Sequence, residues 1–444
     1  MSLTVAEARE IIDRVLKMAK ADETSVSIEG TRNANLRFAR SEITTSGDVS
    51  DTTVNIRSSF GKKSGAASAN QFDAESLERA VRNAEETARF APEDPEHMPL
   101  LGPQTYLGDT GAFDEATANL APEYRANLAA KSIQMANRKK VELAGFFTNS
   151  AEYAAMGNSK GLFAFHRSTR VTFSNTARTP DGTGSGWAGG NAERIGSIDP
   201  LKMAGAAVEK ANLSRNPKEL APGTHPVILE PAAVADLLLY LAFSAEARSA
   251  DEGRSFFAKA GGGTKIGEKV VSEKVTLRTD PADPRAPGSI FSSEGLPTRA
   301  LPLIEKGVLR NLFYNRFWAE KMKTEPTPFP TNLIMDGGSG TVEDLIRGAE
   351  DAVLVTRLWY IRCLDPQTVL LTGLTRDGTY QVEKGKIAHA VKNFRWNDSP
   401  VAVLSKIEAM SAPVRARGSE SEDFSIVCPA IRTTMTFSSL SDAV

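Results

Sequence analysis

The chain has 444 residues, of which 41% are hydrophobic and 24% charged, which is typical of a soluble globular protein with two or three domains. Its 53 basic and 55 acidic side chains give a net charge of −2, so no overall positive field favours nucleic acid or anionic lipid. Two cysteines cannot form a disulfide framework, and no apolar run approaches the roughly 20 residues of a membrane helix. We therefore expect a cytoplasmic protein.

The N-terminal segment predicts a helix, a strand meander and a second helix. Apolar residues recur at helical spacing over residues 4–20 and again over 74–90, where Asp73 is a good N-cap and Pro92 ends the helix. Between the helices, alternating residues predict short strands at 24–29, 34–40, 42–46, 51–59 and 66–69.

A second group of elements completes the first half of the chain. A helix is predicted at 122–138 and another at 200–213. Between them, three strands are predicted at 141–150, 151–158 and 162–173, followed by a poorly periodic glycine-rich stretch at 179–192. The Pro- and Gly-containing linker at 216–223 predicts a domain boundary, with an N-terminal α+β domain at 1–220 and a C-terminal domain at 221–444.

The second half begins with a strand at 226–230 and a helix at 232–248, whose apolar residues predict burial. Strands and turns dominate the remainder, so the expected fold is α+β with a mostly antiparallel C-terminal β domain around one buried helix. Two segments, 303–318 and 381–396, each place Glu-Lys-Gly before alternating residues, which predicts two similar hairpins with glycine at positive φ.

The usual catalytic motifs are absent from the sequence. No two of the four histidines, His97, His166, His225 and His389, lie within 50 residues of each other, so no HExxH helix exists. No CxxC is present, and the run Gly-Gly-Gly-Thr-Lys at 261–265 lacks the spacing of a phosphate loop.

Several stretches resemble the TldD/PmbA family, also called the modulator-of-gyrase family. The clearest are GSIFSSEGLPTRALPLIEKGVLRNLF at 288–313 and LDPQTVLLTGLTRDGTYQVEKGK at 364–386, together with Asn-Ser-Lys-Gly at 158–161 and the N-terminal GKKSGAAS segment. The resemblance implies one of two subunit types. TldD-type subunits resemble zinc peptidases with HExxxH on a helix and a C-terminal cysteine ligand. PmbA-type subunits, also called TldE, lack these residues and pair with the zinc subunit around a proteolytic chamber.

The resemblance also locates the metal motif in this chain. Counting back from Glu246 places the two histidines of the motif at Leu238 and Phe243 and its general-base glutamate at Leu239. The family's cysteine falls near residues 418–421, which contain none. Leucine and phenylalanine cannot bind a divalent ion, so the resemblance implies no catalytic residue, metal ligand or cofactor here, with zinc expected only in a TldD-type partner.

The expected function is therefore that of the zinc-free subunit, which pairs with a TldD-type subunit and holds unfolded peptides by strand addition. Glu294, Arg299 and Asn315 are the candidate peptide-groove residues. No nucleic-acid or membrane partner is expected. Two alternatives stay open: a free-standing homodimeric peptide-binding protein, and a metal-independent enzyme with a site around Glu294 and Arg299.

Overall fold

The computed structural model describes residues 3–421 and 424–441. The first half of the chain builds one six-stranded antiparallel sheet and its helices. Its elements, in chain order, are α1 Val5–Met18, β1 Glu23–Ala39, β2 Glu42–Phe60, β3 Lys63–Ala69, α2 Ala74–Phe90, α3 Glu115–Ala118, α4 Pro122–Arg138, β4 Glu142–Asn158, β5 Phe163–Arg178, β6 Ser185–Ala192 and α5 Pro200–Leu213.

The strands of this N-terminal sheet are longer than the sequence predicts. The sheet has the order β3-β2-β1-β4-β5-β6, and segments predicted as separate strands join into single strands in β1, β2 and β4. Between its buried ends, β1 carries exposed polar residues at Thr31–Asn33, which break the apolar alternation while pairing with β2 and β4 continues. The glycine-rich stretch contributes β6, whose Gly186 lets α5 approach because a Cβ there would lie 2.3 Å from the Ala207 carbonyl oxygen.

One face of this sheet carries the hydrophobic core. Val26 and Ile28 of β1 pack with α1 and α2, and Leu36 and Phe38 of the same strand pack with α4 and α5. Because alternate strand residues point to opposite faces, the other face carries the polar residues of β1, β2, β4 and β5. That polar face lies opposite segments from the second half of the chain.

The second half forms two further sheets around a buried helix. Its elements are β7 Gly223–Leu229, α6 Pro231–Phe243, α7 Ala247–Asp251, β8 Leu277–Thr279, β9 Leu301–Glu305, β10 Val308–Leu309, α8 Arg316–Met322, β11 Asn332–Met335, α9 Val342–Arg347, β12 Asp351–Val355, β13 Leu358–Asp365, β14 Leu370–Thr375, β15 Thr379–Glu383, β16 Lys386–Ala390, β17 Phe394–Asp398, α10 Pro400–Ser405, β18 Ala409–Met410, β19 Val414–Ala416, β20 Ser425–Cys428 and β21 Ile431–Leu440.

These strands are arranged as β10-β9-β8-β11-β20-β19 and as β13-β14-β17-β21-β7-β12-β15-β16, with β18 beside β21. Pairing is antiparallel except for β11 with β20 and β7 with β12, which confirms the mixed α+β, mostly antiparallel fold. The predicted hairpin turns are present: Lys306 and Gly307, like Lys384 and Gly385, have positive φ. Among the described residues, no helix has the length and apolar character needed to cross a bilayer.

The buried helix is confirmed but shorter than predicted. Nearly all of α6 lies inside the largest hydrophobic core. It ends at Phe243 because the chain turns at Ser244, and the Glu246 carboxylate then caps α7 by accepting a hydrogen bond from the Ser249 amide at 3.2 Å. The predicted helix at 232–248 is therefore two helices.

Candidate functional site

The three positions implied for the metal motif carry apolar side chains with two different environments. Leu238 and Leu239 of α6 are buried in the core. Phe243, at the end of the helix, is 54% exposed and stacks on Phe329 with ring centroids 5.5 Å apart. None of the three offers a lone pair to a metal ion.

The loop that would carry the family's cysteine is bound to α6 by a carboxylate. Asp236 is fully buried and accepts hydrogen bonds from the amides of Ser419, Glu420 and Ser421 at 2.9, 3.0 and 3.1 Å. The Ser421 hydroxyl also donates to it at 3.0 Å, and the Ser419 hydroxyl lies 3.3 Å away and shares its one proton between Asp236 and the Leu358 carbonyl. Burial raises the pKa of Asp236 to about 6, against the lowering effect of these hydrogen bonds.

The same loop, residues 418–421, covers the outer edge of β13. The Ser419 hydroxyl donates to the Leu358 carbonyl at 2.8 Å, and the Ile361 amide donates to the Glu420 carboxylate at 3.1 Å. The hydrogen bonds to Asp236 and these two contacts therefore fix the loop between α6 and a sheet edge.

This donor set does not fit zinc. Asp236 is the one carboxylate beside the motif positions on α6, and its oxygens already accept hydrogen bonds from three amides and the Ser421 hydroxyl. Cys428 is fully buried, donates to the Pro231 carbonyl at 3.3 Å, and has a thiol pKa raised by burial, which disfavours a thiolate. Within residues 3–421 and 424–441, no three His, Cys, Asp or Glu side chains form a group able to hold a metal ion.

An aromatic cluster extends outward from the end of α6. Phe329 contacts Phe243, Phe313 and Phe424, with centroid distances of 5.5, 5.3 and 6.1 Å. Phe424 also lines a cavity, so the cluster connects Phe243 to that cavity.

This central cavity has a volume of about 740 Å³ and lies between the polar face of the N-terminal sheet and three parts of the second half: 287–289, Thr331 and 424–425. Three carboxylates from neighbouring strands line it: Glu29, Asp51 and Glu152. Thr31 pairs with both Asp51 and Glu152, which places these two carboxylates on the same sheet face. None of the three carboxylates forms an ion pair with another described residue.

The cation of the central cavity is Arg170, the only lysine or arginine among the described residues that line it. Its Nη1 atom is enclosed and has no hydrogen-bond partner among the described atoms. The neighbouring Arg415 differs, since it contacts the Glu193 carboxylate at 2.9 Å and also donates to Asn191 and Ser425. His166 adds no charge near neutrality because burial lowers its pKa to about 4.

The structure separates the predicted peptide-groove residues. Glu294 and Asn315 line a second cavity, of about 520 Å³, where Glu294 accepts from the Arg316 amide at 3.3 Å and Asn315 caps α8. Arg299 lies instead in a small crevice beside Phe329 and pairs with Glu325 at 3.4 Å. The first two therefore share a cavity and the third does not.

Sequence reasoning missed Asp236 and Arg170. Asp236 is the one charged residue within the apolar run of α6, and a lone charge in an apolar helix is a signal that could have identified it. No pattern in the sequence marks Arg170, because its isolation depends on which residues the fold brings beside it.

Comparison with known proteins gives matches along most of the chain. Three family models match: PmbA/TldA metallopeptidase domain 1 at residues 24–88, the central domain at 113–215, and the C-terminal domain at 222–439. An uncharacterized Methanocaldococcus jannaschii protein is 26% identical over 300 residues, covering 64% of this chain and 67% of that protein. A metalloprotease TldD homolog of Buchnera aphidicola is 27% identical, covering 45% of this chain and 43% of the homolog.

Two solved structures share the fold. TldE from Thermococcus kodakarensis superimposes with a TM-score of 0.87 at 20% identity, covering 97% of this chain and 99% of that one. A proposed modulator of DNA gyrase from Thermotoga maritima has a TM-score of 0.83 at 20% identity, covering 97% and 100%. At this identity the likeness establishes the fold.

Proposed function

Because this chain belongs to the PmbA/TldD metallopeptidase family, we propose that it is a zinc-free, TldE-type subunit that pairs with a zinc-bearing TldD-type subunit to form a chamber for unfolded peptides. The observation that carries the proposal is the state of the motif positions. Leu238 and Leu239 are core residues, Phe243 stacks on an aromatic ring, and Asp236 has its oxygens engaged by the loop at 418–421. Such a subunit contributes surface rather than hydrolytic chemistry.

A free sheet edge supports peptide binding by strand addition. β3 pairs with β2 only from Val54 onward, so among the described residues the outer edge of β2 from Glu42 to Thr53 has no partner strand. An extended peptide can complete the hydrogen bonds of such an edge. In this proposal the second cavity, with Glu294 and Asn315, and the crevice with Arg299 are further peptide-contacting surfaces.

The assembly and its setting are part of the same proposal. We propose a cytoplasmic heterodimer, with the chain divided near residue 220 into an N-terminal and a C-terminal domain. A homodimer that binds peptides without cutting them is the second candidate, favoured by the same free edge on β2. Co-purification with a TldD-type chain separates the two.

The test compares the chain alone with the chain co-expressed with a TldD-type partner, by elemental analysis and by cleavage of an unfolded polypeptide. We expect no zinc and no cleavage for the chain alone, and about one zinc ion per pair with cleavage for the complex. The control is a partner whose HExxxH glutamate is changed to glutamine, which should abolish cleavage while keeping the pair. Stoichiometric zinc in the lone chain, or no association with the partner, would contradict the proposal.

A further inference from the structure

We propose that the central cavity is a binding site for a peptide segment carrying both charges, in which Arg170 holds a carboxylate and Glu29, Asp51 and Glu152 hold a cationic group. The choice of a peptide as ligand rests on the proposed function. The site itself rests on charges that the fold brings together and leaves without an ion-pair partner in the described chain.

Arg170 carries a charged donor that the described chain leaves without a hydrogen-bond acceptor. Its Nη1 atom is shielded from solvent, yet no described atom accepts a hydrogen bond from it. Leaving an enclosed charged donor unsatisfied is unfavourable, and a guanidinium is best satisfied by two parallel hydrogen bonds to a carboxylate. Glu193, a further carboxylate that lines the cavity, is already engaged by Arg415. A carboxylate from outside the chain is the group that this guanidinium lacks.

The opposite charges occupy defined positions on the N-terminal sheet. Arg170 of β5 pairs with Ser150 of β4, and Glu152 lies two residues further along β4. Glu152, Thr31 and Asp51 form one row across the sheet, and Glu29 lies two residues beyond Thr31. Two residues along a strand span about 7 Å and neighbouring strands lie about 4.8 Å apart. By strand position, Glu152 is therefore about two residues of extended peptide from Arg170, and Asp51 and Glu29 are about four to five residues away.

The charges that line the cavity also indicate which class of ligand it binds. A phosphate or other compact anion would satisfy Arg170 but would leave the three carboxylates without a counter-ion, and the repulsion from Glu152 disfavours it. His166 is neutral and offers no additional positive charge. A ligand with a cation at one end and a carboxylate at the other matches both ends, and Phe424 offers an apolar contact between the cavity and the aromatic cluster.

The experiment is a double-mutant cycle on the full-length chain, by calorimetric titration at low salt and pH 7. The probes are an N-acetylated pentapeptide with one lysine at position two, four alanines and a free C-terminal carboxylate, and the same peptide amidated at its C-terminus. Amidation should weaken binding to the wild type about 10-fold and binding to Arg170→Gln less than about 2-fold. Replacing the lysine by norleucine should weaken binding to the wild type about 10-fold, and less than about 2-fold to Glu152→Gln combined with Asp51→Asn.

Two further variants control for fold and for general charge. Arg37→Gln removes an exposed cation from β1 that does not line the cavity, and it should keep the wild-type response to amidation. Arg170→Lys keeps the charge without the planar fork, and it should show an intermediate response. It also keeps the test open if Arg170→Gln is unstable.

Two results would overturn the inference: no binding of the free-carboxylate peptide by the folded wild type, or an equal amidation penalty in the wild type and Arg170→Gln. The outcome is separable from that of the proposed function. The cycle needs no zinc subunit, so it can succeed if no partner is found. It can also fail while the heterodimer cleaves peptides.

Discussion

The loop at 418–421 with α6 and the central cavity are both rich in polar groups, but they use them in opposite ways. In the first region Asp236 accepts hydrogen bonds from three amides and the Ser421 hydroxyl. In the second, Arg170 and three carboxylates line open space without an ion-pair partner in the described chain. Saturated polar groups stabilise a structure, whereas unsatisfied ones are available to a ligand.

Removing the Asp236 carboxylate is the change for which this contrast predicts the largest effect on stability. Asp236→Ala leaves three amides and the Ser421 hydroxyl without this acceptor, and we expect the free energy of unfolding to fall by about 4 kcal/mol. Urea unfolding measures the change, and Asp13→Ala, at an exposed position of α1, is the matched control with almost no effect. A loss as small as that of the control would mean that Asp236 does not hold the loop.

The protonation of Asp236 sharpens the contrast further. Its pKa is about 6 in the folded protein against an ordinary value of 3.8, so the folded state binds the proton more tightly. The stability that this proton contributes is present below pH 4 and is lost as pH rises through 6. Relative to Asp236→Asn, the wild type should lose about 3 kcal/mol between pH 4 and 7. If the wild type instead keeps or gains stability relative to Asp236→Asn as pH rises, the folded protein does not bind this proton more tightly than the unfolded chain.

His166, on the cavity wall, should have the opposite pH dependence. Burial lowers its pKa from 6.5 to about 4, so the unfolded chain binds this proton more tightly. The stability that the neutral His166 ring contributes is fully present above pH 6.5 and is lost as pH falls toward 4. Relative to His166→Gln, we expect a loss of about 2 kcal/mol, a value reduced for the partial exposure of the ring. The free energy of unfolding is measured for both proteins at several pH values. A difference between the two proteins that does not change with pH would refute this expectation.

The change with the smallest expected effect tests whether a histidine at the exposed end of α6 binds zinc. Phe243→His removes one ring of the stacked pair with Phe329 and should cost about 0.5–1 kcal/mol without any gain of zinc. Phe90→His, at a phenylalanine that is 83% exposed, is the control and should change stability by less than about 0.5 kcal/mol. Stoichiometric zinc in Phe243→His, measured by elemental analysis, would reveal ligands nearby.

Local patterns in the sequence predict much of the fold and less of the site. The amphipathic helices α1 and α2, the buried helix α6 and the two Glu-Lys-Gly turns follow from periodicity and turn chemistry. The continuity of β1 and β2 does not, because pairing with neighbours keeps exposed polar residues in strand conformation. The central cavity is equally unpredictable, since its walls come from residues near 29 and near 425.

Gly418, the first residue of the loop at 418–421, limits which substitutions the loop can accept. Gly418 is packed so closely on Asp236 that a Cβ there would lie 2.0 Å from a carboxylate oxygen. A cysteine could enter at this position only together with a change at Asp236, and each change alone would weaken the fold. A cysteine ligand at position 418 therefore requires two coupled substitutions, because the effect of each depends on the residue at the other position.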